Sequence, residues 1–186
     1  MYMSEDEDLR IAGIEQESFV DGPGIRFVVF TQGCSHHCPE CHNPETHAFG
    51  KGTVETADSL LKMVDANPLL SGVTISGGDP MEQAVQLLPF VLGVKRRRLH
   101  LVVFTGYRYE MLMSKFSHPA MRELLTFTDI LVDGPYMKDL RDLSLTFRGS
   151  SNQRIIDVPK SLVEGKVVLH EIQLKEMEGN LDGNFS

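Results

Sequence analysis

All three cysteines of this chain of 186 residues fall in one short stretch, TQGCSHHCPECHNP (31–44), at Cys34, Cys38 and Cys41. This stretch constrains the fold more than any other, because the fold has to present it as a loop whose sulfurs face one object. A disulfide framework would spread its cysteines along the chain to staple distant parts. An odd number gathered in one loop reads instead as metal ligation in a reducing compartment. Two kinds of centre compete. Zinc takes a tetrahedron of three cysteines and a histidine, and His36, His37 or His42 would serve as the fourth ligand. An iron–sulfur cubane is usually held by four cysteines. With three, one iron lacks a protein thiolate, which is a weakness in an electron carrier and an opening for a substrate. The spacing by itself leaves both open.

The segments around the loop predict its setting. IRFVVFTQG (25–33) is an apolar, β-branched run closed by Gly, a buried strand leading directly into the cysteines. Residues 55–65 have helical spacing, with Thr53 or Thr56 as a cap. SGVTISGG (71–78), LHLVVFTG (99–106) and FTDILVDG (127–134) are further strands ending in glycine. RIIDV (154–158) reads as a fifth strand and VVLHEIQL (167–174) as a sixth at an edge. Residues 81–94 form a helix perturbed by Pro89, and 108–125 a helix broken near Pro119. Strands alternating with helices imply βαβ units and a parallel sheet. A complete eight-fold barrel usually needs about 250 residues. The expected fold is therefore α/β, a partial, open parallel β/α barrel of about five to six strands. A single domain is expected over 1–186, with 1–18 as an N-terminal arm and about 160–186 as a tail. In such sheets ligands bind at the C-terminal strand ends. The cysteine loop, SGGDP, FTGY and VDGPY all fall there, which points to one shared site.

The net charge of −8 argues against nucleic acid as a partner, since phosphate neutralisation calls for the opposite sign. Lys95, Arg96, Arg97 and Arg98 read as cations at a helix C-terminus, where they favour the macrodipole. The acidic start, MYMSEDEDLRIAG, lacks the apolar run of a signal peptide, and no run approaches the length of a membrane span. The expectation is a cytoplasmic protein that does not bind membranes.

Cys-x3-Cys-x2-Cys after a first strand resembles the signature of the radical S-adenosylmethionine superfamily. FVDGPGIR (19–26) and SGGDP (76–80) are similar to segments of its glycyl-radical activating enzymes. FTGY (104–107), VDGPY (132–136) and RGSSNQRIIDV (148–158) resemble the activating proteins of anaerobic ribonucleoside-triphosphate reductases. The likeness runs from about Phe19 to Val158. It implies that Cys34, Cys38 and Cys41 hold a [4Fe–4S] cluster and that S-adenosylmethionine chelates the open iron. On this reading Glu40, Cys41, His42, Gly77, Gly78 and Asp79 surround the cosubstrate, and His36 and His37 are not ligands. Many members carry Glu where Asp79 stands, and an aromatic residue where Glu40 stands. No catalytic residue beyond the cluster ligands is implied.

The implied activity is that of a radical oxidoreductase. It cleaves S-adenosylmethionine reductively to a 5′-deoxyadenosyl radical, which generates a glycyl radical on the anaerobic reductase. A donor such as flavodoxin supplies the electron. The alternatives are an activase of another glycyl-radical enzyme, of the pyruvate formate-lyase type, and a zinc-binding adaptor without enzymatic activity. SGGDP also reads as an ordinary strand-to-helix turn, with Asp79 as N-cap and Pro80 at the first helical position.

Overall fold

The computed structural model describes residues 9–182, so the first eight residues of the expected arm and the last four of the expected tail lie outside it. Seven strands form one sheet: β1 (Leu9–Ser18), β2 (Arg26–Thr31), β3 (Thr53–Glu55), β4 (Gly72–Gly77), β5 (His100–Thr105), β6 (Ile130–Asp133) and β7 (Arg154–Asp157). Their order across the sheet is β3-β1-β2-β4-β5-β6-β7. The central four, β2, β4, β5 and β6, are parallel, and β1, β3 and β7 pair antiparallel. The helices are α1 (Ala57–Ala66), α2 (Ala84–Arg96), α3 (Tyr109–Leu112), α4 (Pro119–Phe127), α5 (Val158–Glu164) and α6 (Glu171–Asp182). None of them is long and apolar enough to cross a membrane, among the described residues.

Alternation along the strands divides the interior in two. Phe27, Val29, Val73, Ile75, Leu101, Val103 and Leu131 face the helices, meeting Leu60 and Val64 of α1, Leu87, Phe90 and Val94 of α2, and Leu124 and Leu125 of α4. Val102, Ile130, Val132 and Ile155 form a smaller cluster on the other face. Helices α1, α2, α4 and α5 all belong to the first cluster, whereas the second cluster is met by Ile172 of α6.

Three expectations about the fold need correction. The strand at 154–157 enters antiparallel to β6, not parallel. A parallel return needs a crossover of a dozen or more residues, usually a helix. The connection from 134 to 153 holds only a 3-10 turn at Lys138–Leu140, so the chain re-enters from the end it left. The proposed sixth strand contributes a single bridge, Ile156 to Leu169, before α6 begins. There the side chain of Gln173 accepts the N–H of Ile155 at 2.7 Å and takes the place of a strand neighbour. Pro89 does not interrupt α2. Leu87, Phe90, Val91 and Val94 around it are fully buried, and that burial offsets the roughly 3 kcal/mol of an internal proline.

Beyond these three, β1 and β3 lie where no strand was expected, so the sheet has seven strands instead of five to six, and Leu9–Ser18 of the expected arm is one of them. Thr56, not Thr53, caps α1 through the N–H of Ser59. The predicted break before Pro119 separates α3 from α4. Of the basic run, Lys95 pairs with Asp129 and Arg97 with Asp65, so the end of α2 is neutralised locally.

Candidate metal centre

The C-terminal ends of β2 and β4 are stitched together by backbone. Gly78 N–H donates to Thr31 O at 2.7 Å, and Asp79 N–H to Gly33 O at 2.8 Å. A Cβ on Gly77 would meet the backbone of Phe30 and Thr31, and one on Gly78 the backbone of Gly33. Both glycines are thus required by contact between the two strand ends themselves, and Gly77 adds a φ of 99°.

The cysteine loop leaves β2 as a closed structure. Gly33 N–H bonds Thr46 O at 2.7 Å and Cys34 N–H bonds His47 O at 3.1 Å. The side-chain amide of Gln32 donates to the carbonyls of Glu45 and Ala48. Within the loop, His37 and Glu40 on either side of Cys38 hold left-handed backbone, with φ of 47° and 54°. Such geometry is uncommon without glycine, and it persists only where surrounding contacts over-determine it.

Cys34, Cys38 and Cys41 all line one cavity of about 580 Å³, shared with His42, Gly77, Gly78 and Asp79. Phe30, Phe104, Leu145 and Phe147 give it apolar walls, and Asp21, Tyr136, Arg148 and Gln153 polar ones. Cys34 is buried and the other two thiols are half-buried. Burial pushes the Cys34 thiol up to about 11, and Cys38 is raised for the same reason. Uncharged, these thiols are unremarkable, but three thiolates here would need a cationic centre. Coordination to metal supplies one and deprotonates the thiol outright. Nε2 of His47, another lining residue, is buried with no hydrogen-bond partner among the described residues.

Among the described residues, no three His, Cys, Asp or Glu side chains close on one point as the ligands of a single ion would. Iron–sulfur groups take cysteine thiolates as ligands, and the three thiols line one shared cavity. The donor set therefore fits such a cluster.

Five of the six residues expected around a cosubstrate line this cavity, and Glu40 does not. Its left-handed backbone carries the carboxylate outward to an exposed ion pair with Lys138. Asp79 is fully buried, and both its oxygens are engaged by protein donors: the Thr105 hydroxyl, the N–H groups of Met81 and Gly106, and His36. His42 lines the cavity with its ring against Tyr136, centroids 4.7 Å apart. His37 packs edge-on against His47. Tyr107 stands outside the cavity, on His36.

Sequence reasoning missed Gln32, Glu82 and Thr105, whose partners come from distant segments. Glu82 accepts from both Ser35 and the Tyr107 hydroxyl. Arg148 is a half-buried wall residue whose side chain, 5% exposed, pairs with Glu176 of α6. Arg154 lies off the cavity, on Asp133 and Glu110.

The chain is similar to proteins of known name. The model of a family described as "4Fe-4S single cluster domain" matches residues 20–156. The anaerobic ribonucleoside-triphosphate reductase-activating protein of Salmonella typhi is 35% identical over 145 residues, covering 72% of this chain and 89% of that protein. Its namesake in Haemophilus influenzae is 34% identical over 146 residues, covering 73% and 90%. The namesake in Enterobacteria phage T4 is 32% identical over 143 residues, covering 74% and 86%. Among solved structures, QueE from Escherichia coli aligns with a TM-score of 0.44 at 15% identity, over 71% of this chain and 76% of that one.

Proposed function

Since the chain belongs to the 4Fe-4S single cluster domain family and to the family of anaerobic ribonucleoside-triphosphate reductase-activating proteins, we propose that it is a radical S-adenosylmethionine enzyme. In this reading it generates the glycyl radical of an anaerobic ribonucleoside-triphosphate reductase. One arrangement carries the reading: three thiols and the Gly77–Gly78 strand end open on one cavity of about 580 Å³.

Cys34, Cys38 and Cys41 hold the [4Fe–4S] cluster, leaving one iron for the cosubstrate. The bound cluster supplies the electron that splits S-adenosylmethionine into methionine and a 5′-deoxyadenosyl radical, which takes hydrogen from the partner's glycine. The protein's share is placement and exclusion. Gln32 closes the loop that carries the thiols. Phe30, Phe104, Leu145 and Phe147 keep water from the reacting groups. Close placement matters because a primary alkyl radical reacts with whatever lies nearest. The sheet belongs, in this reading, to an open partial barrel within a single domain, and its open side admits a loop of the reductase. The electron comes from a cytoplasmic donor such as flavodoxin.

The test is anaerobic reconstitution with iron and sulfide, followed by electron paramagnetic resonance of the reduced protein with and without S-adenosylmethionine. A [4Fe–4S]⁺ signal that changes on addition is expected, together with a glycyl radical when the reductase is present. Tight zinc binding and no cluster would overturn the proposal.

A further inference from the structure

Two consecutive residues of the cysteine loop are tied to the turn that follows Gly77–Gly78. Ser35 donates to Glu82. His36 meets Asp79 with Nε2 2.7 Å from Oδ2. Asp79 also accepts from the Thr105 hydroxyl at 2.9 Å, from Gly106 N–H at 2.8 Å and from Met81 N–H at 2.9 Å. Four donors fill the roughly four lone-pair sites of a carboxylate, so no acceptor capacity is left for a ligand's amine. The His36 ring is held on its other side by Tyr107, edge-on with centroids 4.5 Å apart, and the Tyr107 hydroxyl returns to Glu82 at 3.0 Å. A Cβ on Gly106 would stand well inside contact distance of that ring. The network joins three strand ends: β2 through the cysteine loop, β4 through Asp79, and β5 through Thr105 and Gly106.

We propose that His36 and Asp79 form a positioning pair that locks the cysteine loop to the Gly77–Gly78 strand end and so sets the three thiols relative to the backbone that receives S-adenosylmethionine. The last clause rests on the function proposed above. The carboxylate after the two glycines then acts on the loop histidine, not on the cosubstrate. His36 is one of the cavity's lining residues, and the role proposed for it is to hold the loop in place. Its effect is on where the ligand sits, and the imidazole's role is reproduced by any side chain that donates from the same place.

The experiment compares His36→Leu, which removes the donor, with His36→Gln, whose amide nitrogen reaches about where Nε2 lies. In the full chain without added metal, hydrogen exchange is followed over residues 33–42 and 77–83. His36→Leu should speed exchange in both segments and His36→Gln in neither. In the reconstituted enzyme, His36→Leu should keep its iron content, raise the Kd for S-adenosylmethionine about tenfold or more and diminish the spectral change on adding it. His36→Gln should restore both.

Faster exchange in the cysteine loop alone, or an unchanged Kd in His36→Leu, would overturn the proposal. So would equal losses in the two variants. If His36→Leu does not fold, Gly106→Ala displaces the ring while leaving the pair's chemistry intact, and is read by the same outcomes. A wild-type protein that loads no cluster or ignores S-adenosylmethionine refutes the proposed function instead. The exchange measurement still decides whether the pair locks the two loops.

Discussion

The side-chain amide of Gln32 bonds the carbonyl oxygen of Ala48 at 2.8 Å, across sixteen positions of sequence, and spans the base of the loop that carries all three cysteines. A second bond from the same nitrogen reaches Glu45 O at 3.1 Å. Replacing Gln32 by Leu keeps bulk and removes both donations, leaving two carbonyls in want of partners. The expected cost is about 1–3 kcal/mol in denaturant unfolding. Reconstituted iron per chain should fall with it, because the thiols are no longer held in a closed loop. Unchanged iron loading would mean that the loop closes without Gln32.

A second prediction concerns Arg26, a guanidinium with no exposed surface and, among the described residues, no carboxylate in hydrogen-bond contact. It donates to Thr74 Oγ1 at 3.0 Å, to His100 O at 3.0 Å, to Pro23 O at 3.4 Å and to Val73 O. Burial pushes it down to about 10. The group ties the 19–25 loop, which contributes Val20 and Asp21 to the cavity wall, beneath β4 and β5. Arg26→Leu should destabilise the fold by about 3 kcal/mol or more, since several buried carbonyls lose their donor together. Arg26→Lys should recover only part of that, because an ammonium cannot span the same fork. Equal unfolding midpoints for the two variants would contradict this.

Much of the site's surroundings could be read in advance, for a physical reason. IRFVVFTQG and SGVTISGG are apolar runs that end in glycine. Such runs mark buried parallel strands, and those place the following loops at one end of the sheet. The direction of RIIDV was not legible, because an apolar strand reads alike in either orientation. Its entry is decided by a connection too short in regular structure to cross back. Glu40 was expected at the cosubstrate through the resemblance, in whose members an aromatic residue often stands at that position. A left-handed φ of 54° turned it to Lys138, and no side-chain pattern announces that. Gln32, Glu82 and Thr105 are ordinary polar residues until tertiary structure brings their partners. Asp79 was legible as an N-cap and fills that role through Met81 N–H, but its hold on His36 depends on a contact 43 positions away in sequence.

The third prediction is a contribution to stability that is lost in mild acid. Burial lowers His100 below the ordinary histidine range, with Arg26, Lys95 and His170 adding to that and Asp129 opposing it. His170 is also lowered by burial, with Lys160 and Lys175 adding to it and Asp157 and Glu171 opposing. Each imidazole therefore stays neutral in the fold at a pH where the unfolded chain has begun to protonate. The unfolded state binds more protons, so stability rises with pH across this window. The contribution is whole above the ordinary value of about 6.5 and is lost as pH falls through the folded values. His36, raised by its hydrogen bond to Asp79, contributes with the opposite sign in this window, so the His100 effect is read as the difference in unfolding midpoint between pH 7.5 and 5.5 compared across variants. His100→Asn, which keeps an acceptor near Arg26, should flatten the slope. A slope unchanged by that substitution would assign the effect elsewhere.

The last prediction separates glycines that the site requires from glycines it does not. Gly78 lies where β4 meets the backbone of Gly33, and an added Cβ would push the two strand ends apart. Gly13, in β1, has no atom within 4 Å of where its Cβ would stand and no positive φ. Gly78→Ala should cost about 1–3 kcal/mol through overpacking against rigid backbone. It should also lower iron loading, since Cys34 is the residue after Gly33. Gly13→Ala should be neutral or slightly stabilising, because it removes backbone freedom from the unfolded chain at no steric cost. Both are read from the same unfolding curves and iron assays. The decisive comparison is the ratio of iron bound to folded protein. If Gly78→Ala loses stability but keeps that ratio, the strand ends matter for the fold and not for the thiols. If both fall, the contact between β2 and β4 sets the geometry of the loop above it.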